Sequence, residues 1–388
     1  MHKHRLFLFS SFIFTTALAH ARAEEYSPQL FTRHEAIEYA LSHNLNLAAA
    51  RTTIDQAAAR RTDAGAWENP VLNLEVASDY GLTDEGQYAY AIGFEQQFPI
   101  TNRLQLLEDI ASIEIRLAEA EIRDQERLLT LELETQIVKL VALDQQIAIR
   151  QELIALNERL IAFLQSRIET GEASPIDVNQ LKVTRYATEQ EIRKLRIARE
   201  ELIASIAILM GLPTGTPFAV DAELKLPENA PQLPAITQGS LETHPEYELK
   251  ALLAQIADKR TSLAQAERWA DIAVEIFYEQ DRSFDEPVGL KDDRFIGIGF
   301  SIPLPIHNQN RGEIEASRAY RRQVEYELGA ITLAIRSRAD VYAKRVLRLY
   351  QQAMEYQENV TTLVEQNTAD IHAAYSAGQL DLTDLLRA

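Results

Sequence analysis

Residues 133–178 read LETQIVKLVALDQQIAIRQELIALNERLIAFLQSRIETGEASPIDV. An apolar residue recurs at every seventh position of this stretch, at Leu133, Leu140, Ile147, Ile154, Ile161 and Ile168. This spacing is typical of a helix that packs along a neighbouring helix as a coiled coil. Because neither glycine nor proline occurs between Asn102 and Thr170, the pattern predicts one helix of about 69 residues, a rod of roughly 100 Å at ~1.5 Å per residue.

The rod ends in a sequence typical of a sharp turn between two helices. Gly171 suits the left-handed conformation that closes a helix. Ser174 is a natural N-cap, Pro175 takes the first helical position, and Asp177 lies where a capping carboxylate is expected. These residues predict a helical hairpin, and they give Asp177 a structural explanation beside any functional one.

A second rod is predicted from Gly312 to Ala377, again with apolar residues seven positions apart. They are Leu328, Ile335, Tyr342, Leu349, Tyr356 and Leu363. The turn that follows repeats the pattern of glycine and aspartates with Gly378, Asp381 and Asp384. The two stripes of apolar residues do not superimpose, so the two rods are expected to present different packing surfaces.

The chain also contains an internal repeat, because a shift of about 202 to 207 residues brings its two halves onto each other. The only two tryptophans, Trp67 and Trp269, then fall at equivalent places. We interpret the mature chain as two repeats, about 30–211 and 238–388, joined by a proline-rich linker at 212–234. Each repeat is predicted to run helix, two strands, long helix, turn and returning helix.

Four segments of alternating apolar and polar residues predict the strands. They are 71–78 and 87–97 in the first half, and 272–279 and 296–302 in the second. Each approaches the nine to eleven residues with which a tilted strand crosses a bilayer. The polar stretch 281–293 is expected to be a loop. Because four strands cannot close a barrel, several chains would have to share one if these strands lie in a membrane.

The N-terminus indicates export from the cytoplasm. Basic residues Lys3 and Arg5 precede an apolar run at 6–19, and small residues follow it. We expect a secretory signal peptide over 1–23 and a mature protein of 24–388. No later stretch has about 18 consecutive apolar residues, so no membrane-spanning helix is predicted.

Composition excludes several classes of protein and site. The formal net charge of −19 makes nucleic acid an improbable partner, and the lack of cysteine excludes disulfides and thiolate metal sites. No nucleophile motif or phosphate-binding loop is present. The mature chain's histidines show no spacing that places two on one metal; they are His34, His43, His244, His307 and His372. The sequence therefore predicts no enzyme, no cofactor and no metal site.

Over essentially all of its mature length, the chain resembles the TolC family of outer-membrane efflux proteins. The resemblance is carried by the twofold helix-strand-strand-helix repeat, by the turns at 170–178 and 375–386, and by 301–314. The last segment, SIPLPIHNQNRGEI, resembles the heavy-metal (CzcC-like) branch of the family.

The resemblance implies a mainly α fold with a small transmembrane β part. Long antiparallel helices would form an α-barrel, and four strands per chain would contribute to a 12-stranded trimeric β-barrel. It implies a homotrimer in outer-membrane lipid with a long periplasmic extension. It also implies two partners, a periplasmic adaptor (membrane fusion protein) and an inner-membrane pump of the resistance-nodulation-division (RND) type.

The resemblance further implies that the two turns form the periplasmic tip, where the tunnel closes and the adaptor docks. The residues concerned are Gly171, Ser174, Asp177, Tyr375, Gly378, Asp381 and Asp384. In the best-known family member, residues matching Asp177 and Tyr375 help hold the tip shut, and an aspartate matching Asp384 lies at the constriction. Here Leu380 replaces a linking arginine of that member, and Arg387 replaces a second constriction aspartate.

A larger departure concerns the last helix. The first half continues through a returning helix over 176–210, whereas the sequence stops at Ala388. About 35 residues that the repeat predicts are absent. We therefore expect this sequence to be a truncated copy, with the second repeat lacking its returning helix.

The predicted function is that of an outer-membrane channel subunit in a tripartite RND-type efflux system. It would passively conduct its substrate, with divalent heavy-metal cations preferred, from pump and adaptor to the outside. One alternative is a duct of the same family for drugs and other organic compounds, or for type I secretion. An alternative of another class is a soluble periplasmic coiled-coil adaptor or scaffold, which would lack membrane strands.

Overall fold

The computed structural model describes residues 29–82, 85–169, 174–377 and 379. The elements in these ranges are, in chain order, β1 (Gln29–Thr32), α1 (Arg33–His43), α2 (Leu45–Ala64), β2 (Val71–Ser78), β3 (Tyr88–Phe98), α3 (Arg103–Glu169), α4 (Pro175–Met210), β4 (Phe218–Asp221), α5 (Gln238–Glu242), α6 (Pro245–Ala266), β5 (Ile272–Asp285), β6 (Gly289–Ser301), α7 (Arg311–Tyr356), a π-helical turn (Gln357–Thr361) and α8 (Thr362–Ser376). The chain is mainly helical, as the sequence predicts.

The first predicted rod is confirmed as α3, a helix of 67 residues. Helix α4 packs back along it and buries the predicted stripe in two separate clusters. The upper cluster joins Leu133, Ile137 and Leu140 of α3 to Ile206 and Met210 of α4. The lower cluster joins Ile161 and Leu164 of α3 to Val178 and Leu181 of α4. Burial of these side chains between α3 and α4 stabilises the helical hairpin, because the intrinsic helix propensity of each segment does not bring the two helices together.

The second predicted rod is formed by α7, the π-helical turn and α8, but its stripe is only partly buried within this chain. Ile335 is 5% exposed, whereas Tyr342 is 58% and Leu349 is 53% exposed. The difference arises because α6 covers only the first part of α7. Helix α6 begins at Pro245, and its second residue, Glu246, pairs with Arg338 of α7. Beyond that level α7 extends past the end of α6.

None of the described helices is long and apolar enough to cross a membrane.

The end of α4 is fixed against the end of α1 by a close backbone contact. Gly211 has a φ of 72°, and a Cβ added there would lie 2.3 Å from the carbonyl oxygen of His43. Beside it, Asn44 Nδ2 donates a hydrogen bond of 2.9 Å to the carbonyl of Leu209. The chain then enters β4, which pairs in parallel with β1. This contact requires glycine both for its positive φ and for its lack of a side chain.

The four predicted strands form one antiparallel sheet in the order β2-β3-β5-β6. The central pair joins the two halves of the chain, with Tyr88 opposite Arg282 and Phe98 opposite Ile272. Strand β3 leads into α3, and β6 leads towards α7, so both long helices leave the same end of the sheet.

The prediction of a loop at 281–293 is wrong for most of that stretch. Strand β5 continues to Asp285 and β6 begins at Gly289, so the hairpin extends well beyond the apolar part of the sheet. Cross-strand charges support this extension, since Arg282 Nε lies 3.7 Å from Asp292 Oδ1. The charged sequence conceals the strand because pairing there depends on partners across the hairpin rather than on apolar alternation.

We predict that Gly211→Ala lowers the midpoint of thermal unfolding far more than Gly215→Ala does. Both glycines have positive φ values, 72° and 85°, so alanine costs about 1–2 kcal/mol at either. Only Gly211 has backbone atoms in the space of the added Cβ, since nothing lies within 4 Å of that position at Gly215. Equal midpoints of the two variants in detergent solution would contradict the close contact.

Candidate functional site

The four-stranded sheet has one face that is apolar and exposed across its whole width. Leu74, Ile92, Tyr278 and Ile296 are cross-strand neighbours on it. Leu74 is 69% and Ile296 is 82% exposed. This apolar face comprises Leu72, Leu74, Val76, Tyr90, Ile92, Phe94, Ile276, Tyr278, Ile296, Ile298 and Phe300. An apolar surface of this extent is rare on soluble monomers and is typical of a protein or membrane interface.

The opposite face of the sheet is polar and acidic. Its carboxylates lie in three of the rows that cross the sheet and come from each of the four strands; they are Glu75, Glu95, Glu275, Glu279, Asp281 and Asp293. Further along the β5–β6 hairpin, Lys291 Nζ lies 3.1 Å from Asp293 Oδ1. We call this surface the polar face. Its excess of carboxylates gives it a negative potential that attracts cations.

A pocket of about 260 Å³ lies on the polar face between Glu75, Glu275 and Glu279. Asn73 Nδ2 donates a hydrogen bond of 3.1 Å to Glu275 Oε1. The ring of Phe277 covers Gly297 so closely that a Cβ there would lie 2.4 Å from it. The pocket therefore combines carboxylates with the aromatic ring of Phe277.

An ion network fixes the junction between the sheet and the helices. Arg103, at the start of α3, donates through Nε to Asp271 Oδ1 at 2.9 Å and through Nη2 to Glu68 Oε1 at 3.2 Å. The Asp271 side chain is only 6% exposed. The hydrogen bond between Arg103 and Asp271 is the main cause that raises the pKa of Arg103 above its ordinary value. Because Asp271 directly precedes β5, the network holds α3 against the base of the sheet's second half.

A second ion network joins three helices farther from the sheet. Glu246 of α6 accepts hydrogen bonds from Arg127 of α3 at 3.1 Å and from Arg338 of α7 at 2.5 Å. Asp124 also pairs with Arg127, at 2.8 Å. The hydrogen bond from Arg338 is the main cause that lowers the pKa of Glu246. One carboxylate therefore connects all three helices.

His244 precedes Glu246 at the N-terminus of α6. Burial is the main cause that lowers its pKa; Arg127 and Arg338 also lower it, whereas Glu246 and Asp124 raise it. Its Nδ1 atom is buried without a hydrogen-bond partner among the described residues. The neutral ring is therefore the form that suits this environment.

The structure describes only part of the predicted tip. Ser174 is the N-cap of α4, and its side-chain oxygen accepts a hydrogen bond of 3.2 Å from the backbone N–H of Ile176. Pro175 and Asp177 lie in the first turn, as predicted. Gly171, Gly378, Asp381 and Asp384 lie outside the described residues. Tyr375 lies in α8, but its side chain is outside the described part, so the contact between Asp177 and Tyr375 stays a prediction.

The two ion networks are functional candidates that sequence reasoning missed. Their members are far apart in sequence, with Arg103 168 residues from Asp271, and no local spacing connects them. Among the described residues, no group of three or more histidines, aspartates and glutamates is arranged to hold a metal ion.

Comparison with known proteins places the chain in a family. Residues 36–212 match the model of the outer membrane efflux protein family. This segment of the chain belongs to that family. No curated protein matches the sequence of this chain.

Solved structures extend the likeness of this efflux family member over nearly its whole length. The structure of CusC, described as forming a transmembrane channel, is 17% identical, covers 92% of this chain and 85% of CusC, and has a TM-score of 0.73. VceC from Vibrio cholerae is 18% identical over 91% of this chain and 88% of VceC, with a TM-score of 0.69. The MtrE channel from Neisseria gonorrhoeae is 14% identical over 92% and 82%, with a TM-score of 0.67. The fold is TolC-like, and the family consists of outer-membrane channels rather than enzymes.

We predict that acid destabilises the protein in two steps. The unfolded chain protonates His244 more readily than the folded protein does, so stability falls below the ordinary pKa of 6.5. The ionised Glu246 contributes stability that is complete above its ordinary pKa of 4.5 and is lost as the pH falls through its lower folded value.

Thermal unfolding midpoints measured from pH 7.5 to 4 will test this prediction. We expect His244→Gln to flatten the decline just below pH 6.5 and Glu246→Gln to lower the midpoint at pH 7. His34→Gln is the control, because its side chain is 80% exposed and lies far from the network in sequence. A His244→Gln profile parallel to that of the unchanged protein would contradict the first step.

Proposed function

We propose that this efflux family member is one subunit of a homotrimeric duct across the outer membrane of a Gram-negative cell. The observation that carries the proposal is the four-stranded sheet, which has an exposed apolar face and an acidic opposite face. In a closed barrel the first face would contact lipid and the second would contact water. Three copies, with four strands each, would supply the twelve strands of one barrel.

The proposal also assigns a route and partners. The signal peptide at 1–23 would direct export, and the long helices would extend into the periplasm. The turn at Ser174 and Asp177, together with the second turn at 378–384, would dock a periplasmic adaptor that connects the duct to an RND pump. The support is the length of α3, 67 residues, or roughly 100 Å, which suits a duct that reaches far from the membrane.

For the substrate we propose cations, with divalent heavy metals preferred. The support is the polar face, whose six carboxylates outnumber its nearby lysine. Carboxylates that line a pore favour cations without binding them in a fixed site. The aromatic ring of Phe277 in the same pocket favours an organic cation as the second candidate, since a ring face attracts such ligands.

The proposed membrane location predicts the position of both tryptophans. Trp67 and Trp269 are 57% and 43% exposed and lie just before β2 and β5, at the end of the sheet where the helices begin. Tryptophan prefers the membrane–water interface. In vesicles, we expect spin labels near the lipid headgroups to quench their fluorescence more strongly than labels near the acyl-chain ends. Trp67→Phe and Trp269→Phe separate the two signals.

Two results would contradict the membrane location. One is tryptophan fluorescence that no lipid-attached label quenches. The other is recovery of the full-length chain in the soluble periplasmic fraction, which is the result expected of a soluble coiled-coil adaptor or scaffold.

The proposed substrate class predicts cation selectivity. In planar bilayers with a KCl gradient, the reversal potential should show that K⁺ permeates better than Cl⁻. Replacing Glu75, Glu275 and Glu279 together by glutamine should lower the cation-to-anion permeability ratio by roughly a factor of two or more, because the pore lining loses charge. The same change at Glu223, Glu228 and Glu242, which lie between β4 and α6, should leave the ratio unchanged. Equal ratios in all three proteins would exclude the polar face as the selective surface.

Transport assays then distinguish the two cation classes. Deleting the gene should sensitise cells to divalent heavy metals if metals are the substrate. Sensitivity confined to cationic organic compounds would favour the second candidate.

A further inference from the structure

The hairpin of α3 and α4 contains a polar layer between its two apolar clusters. The polar layer consists of Asn157 on α3 and Thr188 on α4, which are 4% and 7% exposed. Position 157 follows Ile154 by three residues, as Leu164 of the lower cluster follows Ile161. An apolar side chain at 157 would therefore continue the stripe, and asparagine interrupts it.

Ion pairs show that the two polar residues lie within about one helical turn of each other along the hairpin. Arg185 pairs with Glu158 at 3.4 Å, just below the layer. Arg150 pairs with Glu191 at 3.0 Å, just above it. In this antiparallel register, residue 157 is opposite 185, so Thr188 is about one helical turn from the level of Asn157.

The polar layer leaves an amide nitrogen unsatisfied. Thr188 Oγ1 donates to the carbonyl of Thr184 in its own helix at 3.0 Å. Asn157 Nδ2 is buried and has no hydrogen-bond partner among the described residues. A buried donor without an acceptor costs stability wherever it lies. Here that cost falls between two clusters that each have their own apolar contacts.

We propose that the polar layer divides the hairpin into two cooperative units. The upper unit, stabilised by the upper cluster, stays closed with the body of the protein. The lower unit, which comprises 158–169 of α3 and 174–185 with Ser174 and Asp177, opens independently because the layer adds little cohesion between α3 and α4. Local opening of this kind requires a boundary of low stability. The consequence for adaptor docking rests on the proposed function, whereas the division itself does not.

Hydrogen exchange on the full chain, purified in detergent, tests the division directly. Amides in peptides from 158–169 and 175–185 should exchange at least about tenfold faster than those from 133–150 and 192–206. Asn157→Leu should slow exchange of the lower unit several-fold, because leucine removes the unsatisfied amide and extends the apolar contacts of the lower cluster, and should leave the upper unit unchanged. Asn179→Leu is the matched control: position 179 is exposed, so the same substitution there should slow neither unit.

Two outcomes would overturn the proposal. One is uniform exchange along the hairpin of the unchanged protein. The other is an unchanged difference between the units in Asn157→Leu, which would assign the faster exchange to fraying at the turn. Thr188→Val, which keeps the side-chain shape, is a second variant that should slow the lower unit if Asn157→Leu does not fold. These outcomes do not depend on channel activity, so failure here and failure of the proposed function are distinguishable.

Discussion

The pairing of β3 with β5 is the interaction on which the rest of the structure depends. It joins strands from the two halves of the chain over eleven residue pairs, from Tyr88 opposite Arg282 to Phe98 opposite Ile272. Its register places Asp271 within reach of Arg103. The same register sets α3 beside α6, where Ile110 and Leu252 share an apolar cluster. A slip of one residue would turn every side chain of one half to the opposite face.

That register also separates the two chemistries of the sheet. Side chains on successive residues point to opposite faces, so apolar residues gather on one side and carboxylates on the other only when all four strands are aligned. Glu275 and Ile276 are neighbours in sequence but lie on opposite faces. An exposed apolar face is unfavourable in water and favourable against lipid, whereas an acidic face needs water. The sheet is therefore suited to a boundary between the two.

The helical part combines strong and weak contacts along its length. Apolar clusters hold the hairpin of α3 and α4 at two levels, and the polar layer lies between them. Helix α7 is held by α6 and by the pair of Glu246 with Arg338, but beyond that level its apolar stripe is exposed. An exposed stripe of apolar residues spaced seven positions apart is a surface that a helix of a neighbouring subunit covers in an assembly. The exposed stripe of α7 therefore agrees with the proposed trimer.

The sequence by itself determined the long helices, the four strands, the cap at Ser174 and the family, because these depend on periodicities and turn residues that are local in the chain. It failed at 281–293, where cross-strand charges rather than apolar alternation support the hairpin. Only the tertiary structure decided which carboxylates share the polar face, that Glu246 connects three helices, and that Asn157 is buried without a partner for its amide nitrogen. The physical reason is that charge pairing and burial are set by distances between segments that are tens to hundreds of residues apart in the chain, which no local pattern encodes.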